Sequence, residues 1–580
     1  MITHLYGNPH SASDPAHLSG HMVDSIREKT LRFFKADPEY FDLVFTANAT
    51  AAIKLVGECF RDLAEQSSTS GKFWYGYHKD AHTSIVGVRE FSKGNHHCFT
   101  SDQEVEKWLA EGSSIPSRSS DDGFTPGLFA YPGQSNMTGR RLPLSWCKKL
   151  RASTSPALQN TYSILDAAAL ATTTQVDLSD HEAAPDFTAV SFYKIFGFPD
   201  LGALIVRRRS GHILSWRHFF GGGTVNGLTV LHDAYVIRKD ASIHEFLEDG
   251  TLPFHSILAL GCAIDVHKEL YGSMKAISRH TLFLARRLYT GMSNLRHLNG
   301  RPICSIYIDD TGIPYTDPAK QGATIAFNVM AADGHYIGWK TVEELANNNK
   351  IYLRAGGLCN PGGIAGYLKI EPWQFKRAWS AGYHCGDGGE LQVINGKPTG
   401  VIRASLGAMN TVSDVDTLIA FLAATFVAKA PVKSAGQSLA ALKFSPITPT
   451  SEFQLPRLEF PRGSSVPDEQ MVAGERANEL LRSVEKPASQ VRLQHIPRKP
   501  YHTRVNISDA TTCVDNGGPS PNGTSNSADS KLSVEEHPWV YRKFIAKEDL
   551  SSLSEAKLGA RKKKRDIFKF WKSSKGVAKI

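Results

Sequence analysis

Apolar and polar positions follow two rhythms over roughly the first 430 residues. Val23, Ile26 and Phe34 share one face of a first helix, and Ile53, Val56, Phe60 and Leu63 recur at helical spacing in a second. Around them stand short apolar runs: DLVF (42–45), FWYGY (73–77), LFAYP (128–132), YSIL (162–165), FTAVSF (187–192) and GALIV (202–206). Strands of this kind are buried on both faces, so the pattern predicts an α/β fold over residues 1–319, a mostly parallel sheet covered by helices. From residue 320 the rhythm restarts with ATIAFNVM, a helix near TVEELANN, IYLRA, a helix near PWQFKRAWSAG, GVIRASLG and a last helix at VSDVDTLIAFLAATFVAKA. That second set predicts a smaller α+β domain over residues 320–430.

Past residue 431 the composition shifts to Ser, Pro, Gly, Asn and Lys, with DNGGPSPNGTSNSADS (515–530) as its extreme. Such a stretch buries too little apolar surface to offset chain entropy, and residues 431–580 are expected to be a largely disordered tail. The tail also carries the whole charge imbalance, 25 Lys+Arg against 16 Asp+Glu, whereas residues 1–430 hold 41 of each. Any role argued from net charge therefore belongs to the tail. Its end joins the basic run Arg561 to Arg565 to Ile567, Phe568, Phe570 and Trp571. A solvated tail, a patch for a polyanion or nuclear-import receptor, and a membrane-surface helix all fit that pattern.

No apolar run is long enough for a transmembrane helix, and the first residues lack the basic and apolar regions of a secretory signal. The expected location is cytoplasmic, with a nuclear one open through the basic run. Eight cysteines, Cys59, Cys98, Cys147, Cys262, Cys304, Cys359, Cys385 and Cys513, lie far apart without a CxxC pair or zinc-ligand spacing. They read as reduced thiols, and no metal site is expected.

Three segments carry chemistry. In TAVSFYKIFGFPDLGALIV (188–206), Lys194 ends an apolar strand, a poor place for a solubilising charge. Apolar surroundings favour the neutral amine, which can condense with an aldehyde cofactor; an ion-paired or snorkelling lysine fits the same pattern. The strand YSIL delivers Asp166 at its carboxyl end, the ligand-facing edge of a parallel sheet, where a carboxylate can keep a pyridine nitrogen protonated. FTANATAAIKLV sets Asn48, Ala49 and Thr50 between a strand and a helix, either as a plain N-cap or as a phosphate site.

Further stretches extend the pattern: GNPHS, HTSIVGVRE, YPGQSNMTGRRLPLSW, LDAAAL, FFGGGTV, FLEDGTLPF, LRAGGLCNPGG, AGYHCGD and GKPTGVIRASLG. In order, from about residue 5 to 428, the segments resemble the N-terminal domain of molybdenum cofactor sulfurases, which belong to the class V aminotransferase group of fold type I pyridoxal-phosphate enzymes together with the cysteine desulfurases. The resemblance implies pyridoxal 5'-phosphate bound covalently by Lys194, with Asp166 at its ring nitrogen, His82 stacked on the ring and active in proton transfer, and Asn136 near its phenolic oxygen. It implies a phosphate held by Ala49, Thr50, Ser191 and Tyr193, with Thr251 reaching in from a second subunit of a homodimer. Arg403 is expected to grip the carboxylate of L-cysteine, Arg354 to position the loop that follows it, and Cys359 to accept sulfur on a glycine-rich loop free to swing. Cys385 matches a motif cysteine without a physical role.

The sequence also departs from the family. Ala355, Gly357 and Ile364 replace a threonine and two cysteines that usually flank the loop thiol. A segment resembling YLDxAxT usually precedes GNPHS, so the start is expected to be either truncated or wrongly assigned. The 150 residues after 430 are too short and too polar for the family's molybdenum-cofactor domain, which leaves transfer to molybdenum in doubt and the sulfur acceptor unknown. The leading expectation is a cysteine desulfurase. A C–S lyase, decarboxylase or other amino-acid-transforming enzyme with the same cofactor is the second, and a non-catalytic interaction protein on the same fold is the third.

Overall fold

The computed structural model describes residues 4–112, 125–309, 314–383 and 391–427. The expectations for Cys385 and for the tail lie outside these residues.

Seven strands form the main sheet: β1 (Phe41–Thr46), β2 (Trp74–His78), β3 (His96–Phe99), β4 (Gly127–Pro132), β5 (Thr161–Asp166), β6 (Phe187–Ser191) and β7 (Gly202–Arg207), in the order β1-β7-β6-β5-β4-β2-β3. From β6 to β3 every neighbouring pair is parallel, whereas β7 runs antiparallel to both β6 and β1. Each apolar run read as a strand is one. Both faces are covered, as continuous apolar strands require. Val23, Ile26, Ile257 and Leu260 pack into the core on one face, and Ile53, Val56 and Phe60 on the other.

A hairpin follows, β8 (Val225–Leu228) with β9 (Val236–Arg238), and then two long helices, Phe254–Tyr271 and Met274–Asn294. The second sheet contains β10 (Cys304–Tyr307), β11 (Thr324–Val329), β12 (Arg354–Gly356) and β15 (Val401–Ser405), in the order β10-β11-β15-β12 and antiparallel throughout. A two-residue pair, β13 (Val393–Ile394) with β14 (Lys397–Pro398), lies just before β15 in the chain. This sheet takes its first strand from upstream of residue 320, and Leu284, Leu288 and Met292 of the second long helix share its core with Phe327, Ile402 and Leu422. In IYLRA only Arg354 and Ala355 enter a strand. Among the described residues no helix is long and apolar enough to cross a membrane.

Candidate active site

The C-terminal ends of β1, β2, β4, β5 and β6 converge on one cavity. At β1 the chain turns into the helix Ala49–Ser67, whose N-cap Asn48 accepts the Ala51 N–H at 3.0 Å. The Ala49 N–H donates across to Ser191 Oγ at the end of β6, 3.1 Å away. Gly202 makes this approach possible. It pairs with Thr46 on one side and Ser191 on the other, and a Cβ there would lie 2.6 Å from the Asn48 backbone.

Asp166 is buried at the last position of β5, and its Oδ1 accepts the Ala168 N–H at 3.0 Å. Beyond β6, the short helix Phe192–Phe196 carries Tyr193 and Lys194. Lys194 is exposed, not sheltered by apolar groups as its sequence context suggested, because the strand ends at Ser191 and the helical turn lifts the amine off the sheet. Its Nζ stands 5.9 Å from the centre of the Tyr193 ring.

His82 follows β2 and caps the turn Thr83–Val86. Its Nδ1 accepts the Ser84 N–H at 3.1 Å and lies 2.8 Å from Ser84 Oγ. Burial holds the imidazole below its usual pKa; the Asp166 carboxylate pulls the other way, and Lys194 adds to the lowering. Ala49, Thr50, His82, Asn136, Asp166, Ser191, Tyr193 and Lys194 all line the cavity, as do Ser84 and Gln134, which the sequence reading passed over. Thr251 does not line it and is exposed on its own chain.

Cys359, Arg354 and Arg403 stand outside that lining; Arg403 and Leu358, next to the thiol, reach it through Asn136. Arg354 and Arg403 face each other in register on β12 and β15. Arg403 Nη1 donates to the Asn136 carbonyl at 2.7 Å, while its buried Nε has no partner and no carboxylate pairs with it among the described residues. Burial depresses its pKa, the Arg354 charge adds to this, and Cys359 opposes it.

The Cys359 loop is tied down at several points. Leu358 and Cys359 both take left-handed backbone angles, φ 53° and 52°. The Cys359 carbonyl accepts the Thr83 N–H at 2.9 Å, and the Leu358 carbonyl accepts Asn136 Nδ2 at 2.7 Å. Asn360 Nδ2 donates to the Asp80 carbonyl and to Asn136 Oδ1. The following helix, Pro361–Leu368, sits so close that a Cβ on Gly362 would meet the Lys79 carbonyl at 2.1 Å. A loop expected to swing is thus anchored to the cavity wall on both sides of its thiol.

The Cys359 residue itself is exposed. Cys59 and Cys147 are buried, and burial pushes their thiols up, Cys147 to about 11; burial likewise pushes Cys304 up to about 12. Thiols so shifted stay protonated near neutral pH and are poor nucleophiles.

The sequence reading also missed a cluster behind the loop. Arg140 pairs with Asp80 at 3.2 Å, Asp102 at 2.7 Å and Asp309 at 2.6 Å, and the Tyr367 hydroxyl of the loop's helix donates to Asp309. Burial pushes the Asp102 carboxyl up, but hydrogen bonds from His78 and Arg140 outweigh it and hold the group well below the usual carboxylate range. Arg140 was visible only as part of a motif, since nothing local in MTGRRLP indicates three acidic partners from distant segments.

Comparison with known proteins gives a consistent picture. The molybdenum cofactor sulfurase of Aspergillus niger is 51% identical over 431 residues, covering 74% of this chain and 50% of that protein. That of Botryotinia fuckeliana is 49% identical over 466 residues, covering 79% and 56%. The chain spans about half the length of these relatives. In fold it is similar to the apo cysteine desulfurase of Thermococcus onnurineus (TM-score 0.51, 17% identity, 72% of this chain and 86% of that one). The same holds for the Escherichia coli cysteine desulfurase CsdA in its S-sulfonic acid form (0.50, 20%, 73% and 88%). Residues 1–418 match the family described as Aminotransferase class-V, and the chain belongs to it.

Proposed function

We propose that this chain is a pyridoxal-phosphate-dependent cysteine desulfurase that moves the sulfur of L-cysteine onto Cys359 and releases alanine. The observation that carries the reading is the tethering of the exposed Cys359 loop to the cavity wall through Thr83 and Asn136, beside an arginine whose Nε is unpartnered.

The cavity fits the cofactor. The close approach that Gly202 allows sets the start of a helix beside Ser191, a favourable setting for a phosphate. Asp166 offers a buried carboxylate for a ring nitrogen, and Lys194 an amine for an aldehyde. When bound, pyridoxal phosphate supplies an electron sink for the bonds at the substrate's Cα. Arg403 receives the carboxylate, its planar guanidinium presenting parallel donors. Lys194 Nζ takes the Cα proton. His82 is neutral and carries its proton on Nε2, available for donation. The substrate C–S bond breaks as the Cys359 sulfur attacks, so that cysteine and thiol become alanine and persulfide with no external oxidant.

The proposal extends to a homodimer. Leu228, Val230, Leu231 and Tyr235 are exposed on and around the β8–β9 hairpin, and the Gly250 N–H next to Thr251 donates to the Gly222 carbonyl of the adjoining loop. A second copy covering this region gives the exposed Thr251 a phosphate to hold. The relatives' name points to the molybdenum cofactor as the final acceptor; the match covers half of their length, and the proposal is confined to persulfide formation.

The test combines purified protein, pyridoxal phosphate and L-cysteine. Alanine and a persulfide mapped to Cys359 are expected, and Cys359→Ser removes the persulfide. A fully active Cys359→Ser variant rules out the role of that thiol.

A further inference from the structure

We propose that the Ser84 hydroxyl is a relay between the phosphate end of the cavity and His82, so that filling the former changes the hydrogen bonding of Nδ1 on the latter. The inference deepens the cofactor reading above and rests on it.

Three atoms stand in a row. Thr50 Oγ1 lies 2.7 Å from Ser84 Oγ, which lies 2.8 Å from His82 Nδ1. The same nitrogen accepts the Ser84 backbone N–H at 3.1 Å. A backbone amide can only donate, so Nδ1 presents its lone pair and the neutral ring holds its proton on Nε2. The direction of the two hydroxyls is then constrained. With Thr50 donating to Ser84 Oγ, the Ser84 proton points to Nδ1, which receives two donors. A phosphate taken up by Thr50 claims the Thr50 proton. The Thr50 oxygen, made a better acceptor by donating to an anion, then draws the Ser84 proton toward itself. Nδ1 keeps only the backbone N–H and becomes more basic, because a hydrogen bond to the neutral ring has been withdrawn.

The other charged groups acting on the ring are Asp166 and Lys194, and Cys359 belongs to the loop bonded at Thr83. Among the described residues, the Ser84 hydroxyl is the group that touches both the phosphate end and the imidazole. Sequence alone offers one cue, a serine two residues after a histidine at the start of a helical turn, which reads as ordinary capping.

The test uses the full chain without pyridoxal phosphate, labelled at the imidazole nitrogens, with inorganic phosphate as the probe and His82 assigned from the His82→Gln spectrum. At a pH where the ring is neutral, the wild type shows the Nε2–H tautomer, and added phosphate shifts the Nδ1 resonance toward that of a less hydrogen-bonded nitrogen. In Ser84→Ala that shift is lost, and in Ser84→Thr, which keeps the hydroxyl, it returns. A through-space effect of the anion acts on both ring nitrogens and survives Ser84→Ala; an unchanged Nδ1 response in that variant overturns the relay, as does a proton on Nδ1 in the wild type. The desulfurase reading fails separately: Nδ1 shifts without persulfide from L-cysteine sink that reading and leave the relay standing.

Discussion

Gly202→Ala tests how the proposed phosphate end of the cavity is built. The added Cβ would lie 2.6 Å from both Cα and C of Asn48 and 2.7 Å from the Val190 carbonyl, whereas ordinary contact begins at 3.4 Å. The neighbours are backbone atoms that cannot rotate away, so β7 and the start of the helix Ala49–Ser67 must separate by about 0.8 Å. That displacement lengthens the Ala49 N–H to Ser191 Oγ bond from 3.1 Å beyond useful range and opens the phosphate cradle. Overpacking of this kind costs about 1–3 kcal/mol. Felt at the cofactor, it raises the half-saturating concentration of pyridoxal phosphate by about five- to 150-fold, at 1.4 kcal/mol per factor of ten. The assay is titration of purified protein with the cofactor, followed by absorbance, with urea unfolding alongside to read the part of the cost borne by the fold. If Gly202→Ala binds the cofactor as tightly as the wild type, the cradle does not depend on this close approach.

Arg403→Lys removes the planar fork, and with a hydrogen bond to a charged partner worth about 1.5–3 kcal/mol, KM for L-cysteine in alanine formation rises about ten- to 150-fold with a smaller change in kcat; an unchanged KM refutes the carboxylate role. Asn136→Ala deletes the side-chain bonds to Leu358 and Asn360 but keeps the carbonyl that Arg403 uses, so amide hydrogen exchange at residues 356–360 speeds up while KM changes little. Arg140→Met strands Asp80, which is 1% exposed, together with Asp102 and Asp309, and lowers unfolding free energy in urea by about 3–5 kcal/mol; a loss within 1 kcal/mol of zero means that the cluster is not a brace. His82 titrates by NMR below its ordinary value of about 6.5, Asp166→Asn moves the midpoint further down and Lys194→Ala moves it up. Because the folded value is the lower one, the unfolded chain binds more protons in that window. The stability held by the neutral ring is complete above about pH 6.5 and declines as pH falls toward the folded midpoint.

The strands of the main sheet were legible because burial on both faces writes an uninterrupted apolar run, as in β4 and β7. The strand HHCF (96–99) was not, since its two histidines break the run at the sheet edge. The helix Met274–Asn294 carried a readable signal that went unused, Ser273 as cap and Ile277, Thr281, Leu284 and Leu288 at helical spacing. The helix Phe254–Tyr271 carried little: Ile257 to Gly261 are all buried in a row, and its exposed side holds apolar Val266 and Leu270, so the buried face at Ile257, Leu260, Ile264 and His267 does not stand out as a period. In the site, residues that act through a local motif were visible, among them Asp166 at a strand end and Asn48 before a helix. Those defined by long-range partners, Arg140 with its three carboxylates above all, were not. Lys194 shows the converse failure, because neighbours along the chain say little about solvent once a helical turn intervenes.

Asn136 explains how the two ends of the site stay in register. The cavity is built from strand ends of the main sheet, whereas Arg403 and Cys359 come from the second sheet and the loop beside it. Asn136 serves both through separate atoms: its carbonyl accepts Arg403, its Nδ2 donates to Leu358, and its Oδ1 accepts from Asn360. Each such bond is worth only about 0.5–1.5 kcal/mol net, too little to clamp the loop alone. Behind them, the Arg140 cluster ties the Tyr367 helix to the same wall through Asp309. The thiol therefore rests on weak bonds at its tip and a strong ionic anchor at its base. On the proposed desulfurase reading, the exposed Cys359 would carry its persulfide on a tip held only by weak bonds, while the ionic anchor fixes the base of the loop against the cavity wall.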